Sequence, residues 1–142
     1  MADYSFNNVL IIDDSEIDVL VNRRLMELTH FAKQIVVTGS GEQALHFLAE
    51  ECASGKNIPE WIFLDMHLPI MSGFDFIEQF KSLPEEITHV SKIIILSVFQ
   101  KQERLQQALE NSFVAGSLEK PLTREALISL ARNKRIIVDA SS

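Results

Sequence analysis

The sequence contains a single cysteine, so an intramolecular disulfide is excluded and the fold must be held together by its core. Cys52 lies at helical spacing from Phe47 and Leu48, which indicates a reduced, partly buried side chain. A catalytic thiol is the alternative, but no activating base lies near it in the sequence.

Basic residues are also scarce. The chain has 13 Lys and Arg against 20 Asp and Glu residues, which gives a net charge of -7. Nucleic-acid backbones are bound mainly by clustered Lys and Arg, so we expect no direct nucleic-acid partner. An acidic chain can instead form a pocket that attracts a cation.

Long apolar runs are missing. No stretch approaches the roughly 20 apolar residues that a membrane helix requires. The N-terminal segment MADYSFNN has no basic residue followed by an apolar run, as a secretory signal would. We therefore expect a soluble cytoplasmic protein with no membrane partner. Its 46% apolar and 23% charged residues are typical of a globular chain.

Five short apolar runs punctuate the sequence. The first four are rich in Val, Ile and Leu without polar alternation, which is typical of strands buried on both faces of a parallel sheet. The fifth run is weaker and is assigned from its place in the order. The predicted strands are residues 8–12, 34–38, 61–64, 92–96 and 116–119.

Stretches with helical spacing of apolar residues follow each strand. The first predicted helix has Asp14 or Ser15 as its N-cap, the third ends before Pro84, and Thr123 caps the fifth. The predicted apolar faces are Ile17, Leu20, Val21, Leu25 and Leu28; Ala44, Leu45, Phe47 and Leu48; Phe74, Phe76, Ile77 and Phe80; Leu105, Ala108 and Leu109; and Leu127, Ile128, Leu130 and Ala131.

This order, βα repeated five times, predicts an α/β fold with a parallel sheet and helices on both faces. We find no linker or low-complexity segment, so we expect residues 1–142 to form one domain, with a core of about 7–133 and a tail of 134–142. We also expect no output domain after it.

Polar residues leave the strands at their carboxyl ends, where ligands bind in such sheets. Asp13 and Asp14 follow the first strand, Asp65 the third, Ser97 the fourth and Lys120 the fifth. Each alone is ordinary, since Asp pairs are usually solvated turns or helix caps and a Lys before Pro is usually exposed. A parallel sheet brings all of them to one edge, and that conjunction predicts a site.

The chemistry of this set points to phosphoryl transfer. Neighbouring carboxylates repel each other, and a hard cation such as Mg²⁺, with its preference for oxygen ligands, relieves that repulsion. One carboxylate can then attack phosphorus and form an aspartyl phosphate. An ammonium and a hydroxyl supply the charge stabilisation that this transfer needs.

Four segments, VLIIDDSEID, FLDMHLPIMSG, IIILS and GSLEKP, resemble the signature segments of response-regulator receiver domains of two-component systems. The resemblance covers about residues 7–133, and D-x-x-x-P-x-x-x-G over 65–73 is its most specific part. It implies a stand-alone receiver with a flavodoxin-like sheet of strand order 2-1-3-4-5.

The resemblance also implies a role for each residue at the edge. Asp65 would accept the phosphoryl group from a histidine kinase or a histidine phosphotransfer protein, and Ser97 and Lys120 would contact it. Mg²⁺ or Mn²⁺ would be held by Asp13, Asp14, Asp65 and the backbone carbonyl of His67. Pro121 would follow Lys120 through a cis peptide bond. Such a protein is not an enzyme beyond its own phosphorylation and dephosphorylation, and signals to a protein target that the sequence does not identify.

The chain departs from the family pattern near the site. Ser117 replaces an aromatic residue whose rotation reports phosphorylation in many receivers. Val98 is bulkier than the Ala or Gly often found beside the hydroxyl residue and would narrow access for the phosphodonor. His67 and Phe99 occupy variable positions that tune loss of the phosphoryl group to water.

Three other interpretations compete with an active receiver. Gly39, Gly41 and Ala44 fit the G-x-G-x-x-A pattern of dinucleotide-binding turns, although a full strand and helix precede them. A haloacid-dehalogenase-type phosphatase also forms an aspartyl phosphate, but His67 stands where that family has its second Asp. A degenerate receiver would only bind partners.

Overall fold

Five strands form one parallel sheet in a computed structural model that describes residues 3–98 and 103–133. They are β1 (Phe6–Ile12), β2 (Ala32–Thr38), β3 (Trp61–Asp65), β4 (Lys92–Ser97) and β5 (Val114–Glu119). Their order is β2-β1-β3-β4-β5, so the predicted flavodoxin-like arrangement is confirmed. The predicted tail and Phe99 lie outside the described residues.

The described residues form six α-helices and one π-helical turn, of which all but the last helix lie between strands in the sequence. The α-helices are α1 (Glu16–Leu28), α2 (Gly41–His46), α3 (Gly73–Phe80), α4 (Glu85–Thr88), α5 (Glu103–Leu109) and α6 (Arg124–Asn133), and the π-helix Phe47–Glu51 continues α2. Within the described residues no helix is long and apolar enough to cross a membrane.

The sheet is covered on both faces, because its strands carry apolar residues on alternate sides. Leu10, Ile12, Ile62, Leu64 and Ile95 face one cluster, which also contains buried residues of α2, α3, α4 and α5. Val9, Ile11, Phe63 and Ile94 face the other, with Met26 of α1 and Leu127 and Leu130 of α6. Burial on both faces explains why these strands lack polar alternation.

The predicted apolar face of α1 is wrong at four of its five positions and right at Leu25. Ile17 and Leu20 are 74% and 69% exposed, and Val21 and Leu28 are also exposed. The helix instead buries Asn22 and Met26, with Val19 and Leu25 packed against the same cluster. Apolar residues cover more than one side of α1, and their spacing alone does not indicate which side meets the sheet. Ile128 of α6 is exposed as well.

The strict alternation of strands and helices is also wrong. α3 ends at Phe80, and Pro84 is the N-cap of the additional short helix α4. Ile87 of α4 is fully buried in the same apolar cluster as Ile93 and Ile95 of β4, so this short helix contributes to the core. A four-residue helix is too short to show a periodic pattern in the sequence.

Candidate functional site

The strand register brings the predicted site residues to one edge of the sheet. Ile12 pairs with Leu64, so Asp13 and Asp65, the next residues, leave adjacent strands side by side. The Asp13 N–H donates to the Thr38 carbonyl at 3.1 Å, which continues the β1–β2 pairing up to this position. The first carboxylate is therefore placed by backbone hydrogen bonds.

Three carboxylates meet at this edge. Oxygens of Asp13, Asp14 and Asp65 all lie within 4.8 Å of one another. Asp13 and Asp65 are only 2% and 5% exposed, whereas Asp14 is exposed. Asp13 Oδ1 accepts from the Ser15 N–H at 2.9 Å, and Asp65 Oδ1 accepts from the His67 N–H at 3.1 Å. We infer that the cluster concentrates negative charge where little water reaches it.

The pKa of Asp13 reflects this environment. Burial raises the pKa above its usual value, and the charge of Asp65 raises it further, while the Ser15 N–H and Lys120 act in the opposite direction. A buried carboxylate with a raised pKa lacks sufficient compensating positive charge. A cation bound between the carboxylates would supply that charge, and oxygen ligands of this kind suit a hard divalent ion such as Mg²⁺. The residues present therefore fit the predicted metal.

Within the described part of the chain, Lys120 places a positive charge in the site. Its Nζ lies 3.0 Å from Asp18 Oδ2, 3.4 Å from Asp13 Oδ2 and 3.5 Å from Asp65 Oδ1. Burial alone would lower the pKa of Lys120, but the hydrogen bond to Asp18 and the charges of Asp65 and Asp13 outweigh it, so the pKa is raised. The ammonium therefore stays charged among the carboxylates.

Backbone contacts hold Lys120 in place. Its N–H donates to the carbonyl of Ser97 at 3.0 Å, which ties the end of β5 to the end of β4. The Lys120–Pro121 peptide bond is cis. Ser97 is buried at the end of β4, and Val98, the next residue, is half-exposed.

The loop after Asp65 explains why its last position is glycine. A Cβ on Gly73 would lie 2.8 Å from the Met66 Cα and 3.3 Å from the Asp65 carbonyl oxygen, both backbone atoms that cannot move aside cheaply. The Gly73 N–H donates to the Met66 carbonyl at 3.3 Å. The start of α3 thus packs directly against the backbone that carries Asp65.

Ile70 lies in the same loop with a positive φ of 64°. The Met71 N–H donates to the Pro69 carbonyl at 2.6 Å, so Ile70 is the central residue of a three-residue turn. A β-branched residue rarely adopts this backbone conformation. Its side chain is 96% exposed and gains little from packing in return.

Two of the described positions that depart from the family pattern or vary within the family are Ser117 and His67. Ser117 is buried on β5, and its hydroxyl has no hydrogen-bond partner. The His67 side chain is exposed, and its backbone contacts Asp65 through the N–H described above. Phe99 lies outside the described residues, so its predicted role stays a prediction.

The sequence reasoning missed one residue of the site, Asp18 of α1. It makes the shortest of the three contacts to Lys120. Its neighbour in the cap, Ser15, accepts a hydrogen bond from the Asp18 N–H at 3.2 Å. Ser15-x-x-Asp18 looks like an ordinary helix cap in the sequence, which explains the omission.

Gly41 and Cys52 have structural explanations in the fold. Gly41 is buried at the start of α2, where a Cβ would lie 2.7 Å from the sulfur of the flexible Met71 side chain, so this position packs against the loop that follows Asp65. Cys52 is buried, and its thiol donates to the Asn57 carbonyl at 3.6 Å. Burial raises the pKa of Cys52, the opposite of what an activated thiol requires.

Comparison with known proteins matches the chain to one family. The family model described as the response regulator receiver domain matches residues 9–132. A probable methanogenesis regulatory protein, FilR2 of Methanothrix harundinacea, is 26% identical over 84% of this chain and 75% of its own length. The autoinducer 1 sensor kinase/phosphatase LuxN of Vibrio campbellii is 30% identical over 84% of this chain, which spans only 12% of that protein.

Solved structures resemble the chain over most of its length. A two-component response regulator from Cytophaga hutchinsonii is 28% identical with a TM-score of 0.81, covering 90% of this chain and 95% of that one. The receiver domain of a Pseudomonas aeruginosa sensor histidine kinase, described with magnesium in its active-site cleft, has a TM-score of 0.71. At 18% identity, over 89% of this chain and 95% of that one, this second likeness concerns the fold alone.

Proposed function

The chain belongs to the response regulator receiver domain family, a family of signalling modules, and from this premise we propose that Asp65 accepts a phosphoryl group from a phosphohistidine. The observation that carries the proposal is the meeting of Asp13, Asp14 and Asp65 beside the Lys120 ammonium. All five polar positions of an active receiver, counting Ser97, are present in the sequence. A degenerate receiver that only binds partners is correspondingly disfavoured.

The proposed reaction is a direct transfer. A carboxylate oxygen of Asp65 attacks phosphorus, the P–N bond to the donor histidine breaks, and its electron pair remains on the imidazole nitrogen. The product is an acyl phosphate on Asp65. The signal ends by hydrolysis: water attacks the phosphorus, the P–O bond to Asp65 breaks, and inorganic phosphate and a proton leave while the Asp65 carboxylate is restored.

Asp13, Asp14 and Asp65 would hold Mg²⁺ in this proposal, with the His67 carbonyl as a further ligand. The cation supplies positive charge that offsets the charge of the transferring group. Lys120 and the Ser97 hydroxyl would contact the phosphoryl oxygens from the β4 and β5 side. This arrangement requires only positioning and charge, which the residues at this edge are placed to provide.

The phosphodonor would be a protein that contacts α1. This helix begins two residues after Asp14 and exposes Ile17 and Leu20 to solvent. Large apolar side chains clustered on a surface commonly mark a protein contact. We propose that a histidine kinase or histidine phosphotransfer protein, in the cytoplasm, covers this part of α1 while its histidine reaches Asp65.

The phosphorylated form would signal through the surface of α5 and β5. New charge on Asp65 would draw in Ser97 and Lys120 and shift an existing equilibrium between two conformations. Ser117 offers no aromatic ring to report that shift, so another side chain would have to do so. The recipient would be a protein target or a further member of a phosphorelay.

Incubation with acetyl phosphate and Mg²⁺, followed by intact mass measurement, tests the function. We expect a mass gain of one phosphoryl group per chain that hydroxylamine removes, as it does from an acyl phosphate but not from a serine ester. Labelling that resists hydroxylamine would contradict the proposal. Continuous release of phosphate from many substrates would indicate the phosphatase alternative.

A further inference from the structure

Asp18 has no role in the proposed phosphoryl transfer to Asp65, yet it is the carboxylate nearest to Lys120. The Asp18–Lys120 contact is 3.0 Å, against 3.4 Å to Asp13 and 3.5 Å to Asp65. An ammonium has three N–H donors, and here it faces three carboxylates. Its position is biased towards α1 and away from the proposed phosphoacceptor.

The cap of α1 leaves the Asp18 carboxylate available for this contact. In α3, Ser72 and Asp75 form a reciprocal capping box, since the Ser72 N–H donates to Asp75 Oδ2 and the Asp75 N–H donates to Ser72 Oγ, both at 3.2 Å. In α1 the spacing Ser15-x-x-Asp18 is identical, but the Ser15 N–H donates to Asp13 instead. Asp18 Oδ2 bonds Lys120 at a sequence separation of 102 residues.

Charge balance gives this contact a consequence. Asp13, Asp14 and Asp65 together with Lys120 leave two uncompensated negative charges, which one divalent cation neutralises. Asp18 adds a further negative charge beside the ammonium and attracts it away from Asp13 and Asp65. A phosphoryl group on Asp65 adds still more negative charge, and Asp18 then competes with it for Lys120.

We propose that Asp18 is a positioning residue that holds the Lys120 ammonium towards α1 and so opposes its engagement with a phosphoryl group on Asp65. Asp18 thereby raises the concentration of phosphodonor at which the site becomes occupied. This inference rests on the proposed function of Asp65.

The test compares Asp18→Asn with Glu16→Gln, a matched variant that removes one negative charge from the same turn of α1. Labelling by acetyl phosphate is followed by intact mass over a range of donor concentrations at saturating Mg²⁺. We expect the half-saturating donor concentration to fall about two- to five-fold in Asp18→Asn, as for loss of a half-exposed ion pair, and to stay unchanged in Glu16→Gln. Damage to the fold would weaken labelling, so a gain distinguishes positioning from structure.

Two further variants connect the effect to Lys120. Asp18→Ser also keeps the backbone hydrogen bond of the cap, and we expect the same gain as in Asp18→Asn. We also introduce Asp18→Asn into a Lys120→Gln background. If Asp18 acts through Lys120, the change in half-saturating donor concentration should there be less than about half of the change seen in the wild type.

Binding of Mg²⁺ gives a readout that needs no phosphoryl transfer. Release of Lys120 from Asp18 lets the ammonium compete with the cation for Asp13 and Asp65. Calorimetric titration with Mg²⁺ should therefore show a dissociation constant about two- to five-fold higher in Asp18→Asn than in the wild type, with Glu16→Gln close to the wild type.

Unchanged or weaker labelling in Asp18→Asn, or an equal gain in Glu16→Gln, would overturn the role of Asp18 while leaving Asp65 as the acceptor. An unlabelled wild-type chain would instead refute the proposed function itself. The two failures are thus distinguishable within one experiment.

Discussion

Asp18 Oδ2 and Lys120 Nζ, 3.0 Å apart, connect helix α1 to the end of strand β5 across the proposed phosphorylation site. The same helix exposes Ile17, one position before Asp18, and Leu20, two positions after it. α1 therefore carries both a residue that contacts the site and a surface suited to a protein donor. A donor that binds this helix would lie beside the ion pair.

Replacing Asp13 by Asn should stabilise the metal-free protein. The folded state raises the pKa of Asp13, mainly through burial, so between the unfolded and folded pKa values the native chain binds more protons than the unfolded chain. Stability therefore falls as pH rises through this range, and the charged carboxylate is unfavourable at neutral pH. We expect Asp13→Asn to raise the free energy of unfolding by about 1 kcal/mol at pH 7 in EDTA, measured by urea denaturation.

Acid and Mg²⁺ provide the controls for that result. The difference between Asp13→Asn and the wild type should shrink as pH falls through the pKa of Asp13, because the wild-type carboxyl then becomes neutral too. Mg²⁺ should stabilise the wild type by mass action and the variant much less. A metal-free variant less stable than the wild type at pH 7 would refute this reading of the cluster.

Ile70→Asn should also stabilise the protein. Asn adopts a positive φ at lower cost than a β-branched residue, and the 96% exposed Ile70 side chain loses little packing when it is replaced. We expect a gain of about 1 kcal/mol in urea denaturation. Val90→Asn is the comparison, since Val90 is exposed but has no positive φ, and it should show no gain. Equal effects in both variants would refute backbone strain at Ile70.

Leu20→Asp should slow phosphotransfer from a protein donor but not labelling by the small molecule acetyl phosphate. The donor is a phosphorylated histidine kinase that labels the wild type. Because the variant loses an apolar contact on α1, we expect phosphotransfer from this kinase to be about tenfold slower. Labelling by acetyl phosphate should be unchanged, because Leu20 is not among the residues of the site. Val90→Asp, just before β4 at the opposite end of the sheet, should leave both rates unchanged. Equal slowing with both donors would contradict docking on α1.

The strands were predictable because burial on both faces leaves continuous apolar runs, and their ends identified Asp13 and Asp65. The orientation of α1 was not, since Val19 and Met26 on one side and Leu20 and Val21 on another are all apolar. Only the packing of the folded chain selects Met26 for the core. Helix α4 was not predicted, because four residues form a single helical turn and show no periodic pattern of apolar residues.

Asp18 illustrates a different limit. Asp18 and Lys120 are 102 residues apart in the sequence, and their contact depends on the position of α1 relative to the sheet. No local sequence pattern predicts that position. The Ser15-x-x-Asp18 spacing predicts a capping box, as at Ser72 and Asp75. In the folded protein the Ser15 N–H donates to Asp13 instead of Asp18, so the Asp18 carboxylate is available to bind Lys120.

The central claim is that Asp65 is the phosphoacceptor. The most direct test is intact mass measurement of the wild type and of Asp65→Asn after incubation with acetyl phosphate and Mg²⁺. The wild type should gain one hydroxylamine-sensitive phosphoryl group, and Asp65→Asn, which keeps the shape of the side chain, should gain none. An equal mass gain in Asp65→Asn, or no gain in the wild type, would contradict the claim.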